Sequence, residues 1–279
     1  MNTDARTTEN VPSRIDCTAD ADGRITFALR SPSTDARLLV RLRPKKGQPE
    51  KTLHTLDLEP ATDGRLRAVL EPRLVLAEGR WDVFLVPEPG APRQRLRPGL
   101  RDLRSLVDGH LRERPSPVAV RVPYVTKDGY LAIRAWSRPA HAEVEGVDAT
   151  DRAMTVRARL HGTSLAAGAE QAAVLLRLRG GGGAPRTLVP RFADDGRGFS
   201  FTVEYGELTG DRDSGNRVWD LFVRVGSVDG EAPIRIGRLL DDIADRKEIH
   251  VLPAAEVGDV VVRPYYTVDN DLSVLADGT

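Results

Sequence analysis

The sequence predicts an all-β protein made of two tandem immunoglobulin-like β-sandwich domains from an internal duplication. Three observations carry this: short apolar runs separated by turn residues, a set of segments that returns in the same order, and the lack of long amphipathic helical patterns. The runs at 25–29, 38–42, 66–70, 81–86 and 118–122 have strand length, and about seven such strands per unit fit two packed sheets. Asp22-Gly23, Asp63-Gly64, Asp128-Gly129 and Asp195-Gly196 mark hairpins, because tight hairpin turns need positive φ, which these residue pairs accept.

The repeat is legible at five places. Leu39-Val40-Arg41-Leu42-Arg43 returns as Leu175-Leu176-Arg177-Leu178-Arg179, and Asp63-Gly64-Arg65 returns as Asp195-Gly196-Arg197. Arg80-Trp81-Asp82-Val83-Phe84-Leu85 answers to Val218-Trp219-Asp220-Leu221-Phe222-Val223; Arg95-Leu96-Arg97 with His110 answers to Arg235-Ile236-Gly237 with His250. The hairpin from Pro123 to Ile133 matches that from Pro264 to Val274. Offsets drift from 132 (Asp63 to Asp195) to 141 (Pro123 to Pro264), as short loop insertions between kept elements produce. The expected domains are a disordered tail at 1–13, copy one at 14–136, a linker at 137–139 and copy two at 140–279. Leu100, Leu103, Leu106 and Val107, and again Leu239, Leu240 and Ile243, fall at helical spacing, so each copy is expected to carry a short helical turn.

At 279 residues the chain is long enough for two cores of about 130 to 140 residues each. No run approaches a membrane span, and Met1 to Arg14 is polar without the apolar core of a signal peptide, so a cytoplasmic location is expected. A single cysteine, Cys17, excludes an intrachain disulfide and multi-thiolate metal sites. Net charge is zero, yet residues up to Arg138 hold 25 Lys+Arg against 18 Asp+Glu, or +7, which leaves −7 for the remainder. That asymmetry fits either an anionic partner for the first half or complementary faces between the halves.

No residue is assigned a catalytic role, and no metal or cofactor is expected. Trp81 and Trp219 read as inward-facing core aromatics, with a stacked sugar or base as the sharper alternative. Asp82 and Asp220 read as turn or cap residues, since each copy offers one carboxylate where acid-base chemistry needs a pair. His110 and His250 read as structural or surface residues, and none of the five histidines has ligand spacing. The run Gly180 to Gly183 lacks the residues that follow a phosphate loop and reads as a flexible hairpin.

The lead is the arginine density from Arg93 to Arg114, which copy two does not share. Arginine offers bidentate contacts to carboxylate or phosphate, so Arg93, Arg95, Arg97, Arg101 and Arg104 are candidates for an anionic polymer or an acidic protein face; a solvated surface is the bland reading. Tyr124, Tyr265 and Tyr266, at the same point of both hairpins, are added as candidate contacts. Nucleic acid is a poor third choice, because nothing interleaves aromatics with arginines in the sequence.

The hairpin Pro-Tyr-[Val/Tyr]-Thr-x-Asp-[Gly/Asn]-x-Leu-[Ala/Ser]-[Ile/Val], with Trp-Asp-[Val/Leu]-Phe and the Arg-Leu-Arg or Arg-Ile-Gly segment, resembles the β-sandwich modules appended to actinobacterial wall-polymer transferases of the CDP-glycerol glycerophosphotransferase family. The resemblance implies an accessory module: the family's chemistry resides in separate α/β domains, and this chain has no βα alternation to supply one. The expected role is a non-catalytic module that binds an anionic or sugar-containing polymer or docks a partner transferase. The alternatives are a transferase acting on an activated polyol or sugar phosphate, and a structural homo-oligomer.

Overall fold

The structure, a computed structural model, describes residues 13–31, 33, 35–50, 53–165, 172–181, 184–209, 216–226 and 232–278. Apart from Ser13 the expected tail lies outside the described residues, as do Gly182 and Gly183 of the glycine run. The chain divides into two compact units, one comprising Met1–Leu106 with Arg121–Trp136, the other Val107–Val120 with Ser137–Thr279. The repeat alone assigns 107–120 to the first copy. Its contacts group it with the second, where Gly162 N–H donates to the Arg114 carbonyl at 2.9 Å and Arg197 pairs with Glu113 at 3.2 Å.

The fold is all-β and sandwich-like. In unit 1 the strands are β1 (Arg14–Ala19), β2 (Ile25–Leu29), β3 (Arg37–Leu42), β4 (Leu53–Asp57), β5 (Glu59–Pro60), β6 (Leu66–Leu70), β7 (Gly79–Val86), β8 (Gln94–Arg95) and β9 (Arg97–Asp102), with β10 (Val118–Val125) and β11 (Leu131–Arg138) completing one sheet. One sheet runs β5-β6-β2-β1-β9 and the other β10-β11-β7-β3-β4, with β8 added to β7. Alternation builds the core: Ile25, Phe27 and Leu29 of β2 and Leu38 and Val40 of β3 are buried between less buried neighbours, and Trp81, Val83 and Leu85 of β7 face inward with them. Trp81 is fully buried and donates Nε1–H to the Ala77 carbonyl at 3.0 Å.

Unit 2 holds β12 (His141–Ala149), β13 (Ala153–His161), β14 (Ala173–Leu178), β15 (Arg186–Leu188), β16 (Arg191–Phe192), β17 (Gly198–Glu204), β18 (Arg217–Arg224), β19 (Ile234–Gly237), β20 (Ala255–Val257), β21 (Val260–Tyr266) and β22 (Leu272–Gly278). These form one connected ladder because β19 pairs with β12 in parallel and with β18 antiparallel. Unit 1 divides that task at Leu96: β8 pairs with β7, and β9 then runs parallel to β1.

The helical spacing resolves differently in the two units. In unit 1 the chain forms 3₁₀ turns at Arg104–Leu106 and, in the segment grouped with unit 2, at Gly109–Leu111, while Leu100 lies in β9. Among the described residues from 238 to 250 there is no helix. Hydrogen bonds fix that stretch instead: Arg246, fully buried, is ion-paired with Asp241, donates Nε–H to the Arg238 carbonyl at 3.0 Å and meets His250 Nδ1 at 2.9 Å. A further 3₁₀ turn, Tyr205–Leu208, has no counterpart in the sequence expectation.

Asn270 ties this stretch to the last hairpin. It is fully buried at φ +62°, accepts the Arg246 backbone N–H at Oδ1 (3.0 Å) and donates Nδ2–H to the Ile243 carbonyl (2.9 Å). Asn270→Ala strands both backbone groups and keeps the left-handed strain, so urea unfolding should show a loss of about 2–4 kcal/mol. Asn270→Gly, which accepts the φ, should lose less than Asn270→Ala; the reverse order would contradict this role.

Candidate functional site

The repeated motif Trp-Asp-x-Phe places a carboxylate and an aromatic ring on the outer face of a central strand. Trp81 points inward, so with a side-chain period of two Asp82 and Phe84 point outward, yet they are only 3% and 5% exposed. Arginines cover them. Arg41 Nη2 lies 3.0 Å from Asp82 Oδ2, Arg43 Nε 3.4 Å from the same oxygen, and Arg95 Nη2 3.5 Å from Oδ1. Burial pushes the Asp82 carboxyl up, but the Arg43 and Arg41 hydrogen bonds outweigh it and hold the group below the ordinary carboxylate range. The turn or cap role expected for Asp82 is therefore corrected: its partners lie on neighbouring strands.

Unit 2 builds the same centre in the same register. Arg41 pairs with Asp82 and Leu42 with Trp81 between β3 and β7; Arg177 pairs with Asp220 and Leu178 with Trp219 between β14 and β18. Asp220 accepts from Arg179 Nη2 (2.6 Å), Arg235 Nη2 (2.7 Å) and the Ser273 hydroxyl (2.8 Å). It too lies below the ordinary carboxylate range: burial raises it, and Arg179 and Arg235 more than reverse that. Arg235 also sits over the Phe222 ring at 4.8 Å.

The units differ in what surrounds this shared centre. On the unit 1 face, Arg80 and Arg134 are a register pair between β7 and β11, and the Arg97 guanidinium lies 5.3 Å from the centroid of Tyr130, which also carries Arg95 at 4.2 Å. Arg93 and Arg41 both lie over Phe84, at 5.4 and 4.8 Å. At the matching positions, unit 2 has Val218 paired with Leu275, Pro233 one residue before Ile234, and Gly237. Among the described residues Arg41, Arg43, Arg93, Arg95 and Arg97 thus gather with the carboxylates of Glu50, Asp82 and Asp128, while Arg134 is 4% exposed and lies 4.9 Å from the centroid of the Trp136 ring.

Of the residues singled out in the sequence, Arg93, Arg95 and Arg97 fall on this face. Tyr124 joins them: burial raises its hydroxyl pKa while nearby Arg43 and Arg80 act in the opposite sense, and its oxygen has no hydrogen-bond partner. Arg101 and Arg104 do not. Arg101 donates to the Pro123 carbonyl at 3.3 Å beside Cys17, and Arg104 pairs with Asp102 at 2.6 Å. Tyr265 is half-buried beside Arg179, and Tyr266 is 3% exposed with its hydroxyl pushed up to about 12 by burial. The sequence reading missed Arg41, Arg43, Arg80, Phe84, Tyr130 and Arg134; the alternation Arg41-x-Arg43 beside Asp82-x-Phe84 was the available signal.

Among the described residues no group of three or more His, Cys, Asp and Glu side chains is arranged to hold a metal. Unit 2 does bury a polar cluster: His141 and His161 are register partners, and Glu143 Oε2 contacts His141 Nε2 at 2.8 Å while accepting the Leu239 N–H at 2.7 Å. His161 has neither ring nitrogen hydrogen-bonded, and burial, then His141, lower its pKa to about 4.

Two outcomes follow for stability. Asp82→Asn removes the anion shared by Arg41, Arg43 and Arg95, of which Arg41 keeps Glu50 and Arg95 keeps Asp128, and should cost about 2–3 kcal/mol in urea unfolding, discounted for partial exposure of the arginines; an unchanged midpoint contradicts the centre. His161 has a folded pKa below its unfolded value of 6.5, so its contribution is complete above pH 6.5 and is lost as pH falls toward about 4. The drop between pH 7 and pH 5 should therefore be larger in the wild type than in His161→Phe by about 2 kcal/mol. Parallel pH profiles would rule that out.

No family model and no curated protein matches this chain. Among solved structures it is similar to a crystal structure of S. aureus TarS 217-571, with 13% identity and a TM-score of 0.30, over 69% of this chain and 56% of that one. It is also similar to a crystal structure of S. aureus TarS, with 13% identity and a TM-score of 0.30, over 68% of this chain and 35% of that one. The chain thus covers about half of the first structure and about a third of the second.

Proposed function

We propose that this chain is a non-catalytic binding module and that the outer face of the β10-β11-β7-β3-β4 sheet in unit 1 takes an anionic partner, best an anionic glycopolymer. The observation that carries the reading is a cluster of partly exposed guanidinia, Arg43, Arg93, Arg95 and Arg97 with Arg41, beside Phe84, Tyr124 and Tyr130. The shared centre needs only Asp82, its three arginines and Phe84, so Arg93 and Arg97, where unit 2 has Pro233 and Gly237, are additions that the fold does not require. Guanidinium donors match phosphate and carboxylate oxygens, and aromatic rings beside them suit the hydrophobic faces of sugars.

The resemblance to modules appended to CDP-glycerol glycerophosphotransferase-family proteins supports the same reading, with a wall polymer as ligand and a transferase as neighbour. No helix among the described residues is long and apolar enough to cross a membrane.

Retention on immobilised polyphosphate separates the face from general basicity. The Arg43→Gln/Arg93→Gln/Arg97→Gln variant should elute at clearly lower salt, whereas Arg101→Gln/Arg104→Gln should elute as the wild type does, since local contacts, not net charge, set the affinity. Equal shifts in the two variants would contradict the assignment of the face.

A further inference from the structure

One contact on the unit 1 face has no counterpart among the described residues of unit 2. Glu50, from the connection between β3 and β4, places Oε1 2.8 Å from Arg41 Nη1 and 3.0 Å from Arg93 Nη1, with Oε2 3.1 Å from Arg93 Nη1. Both guanidinia lie over the Phe84 ring, at 4.8 and 5.4 Å from its centroid. The arrangement is an oxyanion held by two arginines on an aromatic platform, with a side chain of the protein as the anion.

Nothing in the fold demands it. In unit 2 the corresponding connection, Gly180 to Pro185, contains no acidic residue, and Pro233 stands where Arg93 would be. Unit 2 nevertheless keeps the same strand register around Asp220. Arg41 has a second anion in Asp82 at 3.0 Å, so it stays oriented when Glu50 leaves, and Arg93 is 39% exposed at its side chain. Glu50 is at the surface of a loop, where ion pairs are weak and readily exchanged.

We propose that Arg41, Arg93 and Phe84 form an oxyanion subsite that Glu50 occupies in the free protein and that a phosphate or carboxylate group of the ligand takes over by displacing it. The site accepts a single tetrahedral or planar oxyanion on an extended chain, and Glu50 sets a threshold that weakly charged partners do not pass. This rests on the reading of the unit 1 face as anion-binding and adds the position of one ligand group and a competitor built into the chain.

The test titrates tripolyphosphate and, separately, a penta-glutamate peptide into the full chain at constant ionic strength, measuring affinity by calorimetry. Glu50→Gln should bind at least one probe several-fold more tightly than wild type, and Glu50→Gln/Arg93→Gln should lose that gain, because removing an internal competitor raises apparent affinity by the fraction of sites it blocked. A gain with tripolyphosphate alone identifies a phosphate ligand, one with the peptide alone a carboxylate ligand, and both support the subsite. An unchanged affinity in Glu50→Gln, or a gain that survives Arg93→Gln, overturns it. If polyphosphate retention still depends on Arg43, Arg93 and Arg97 in that case, the wider reading stands without the Glu50 gate; if retention also fails to depend on them, both fall.

Discussion

A carboxylate on a central strand directly after a buried tryptophan is a demanding element. In a strand the residue after an inward side chain must point outward, so burying Trp81 commits Asp82 to the outer face, between β3 and β11. Flanking strands take most of its water away, and a desolvated carboxylate is tolerable only beside cations. Arg41, Arg43 and Arg95 provide them from two other strands, and Arg179, Arg235 and Ser273 do the same for Asp220. The centre thereby also specifies register: a slip of one residue between β3 and β7 would turn Trp81 outward and move Asp82 into the core. The crossover strand has to arrive at this point as well, because Arg95 and Arg235 are carried on it.

The local elements were readable because they rest on local physics. Period-two burial, the Asp-Gly turns and the Trp-Asp-x-Phe runs depend on neighbours in sequence, and β2, β3, β6 and β7 fall where the pattern puts them. What was not readable depends on which strands meet. Asp82 finds its partners 39 and 41 residues away, which no turn or cap pattern announces. Leu100 has helical spacing from Leu103 but follows Pro98-Gly99 and is carried into β9 by the parallel pairing of that strand with β1. The arginine run Arg93 to Arg104 looks continuous in sequence, yet the crossover at Leu96 divides it. Arg93 and Arg95 stay with the sheet of β7, Arg97 sits at the crossover, and Arg101 and Arg104 continue past it, where Asp102 and the Pro123 carbonyl engage them.

The two centres share their aspartate, a phenylalanine and arginines in matching registers, so those residues are explained by folding. Arg80, Arg93, Arg97 and Arg134 are replaced at matching positions of unit 2 by Val218, Pro233, Gly237 and Leu275, and the fold survives the exchange. Of these, Arg93 and Arg97 lie beside the Phe84 and Tyr130 rings, where an anionic ligand would use them, whereas Arg134 is buried. Glu50 bridges one of them, Arg93, to Arg41 of the shared centre.

The most direct test of this division between scaffold and surplus is side-chain NMR of isotopically labelled arginine while tripolyphosphate is titrated into the intact chain. The account predicts saturable, salt-sensitive shifts of the Nε–H signals of Arg43, Arg93 and Arg97, with Arg177, Arg179 and Arg235 unmoved. Saturable shifts in the unit 2 arginines with those of unit 1 unchanged would contradict it.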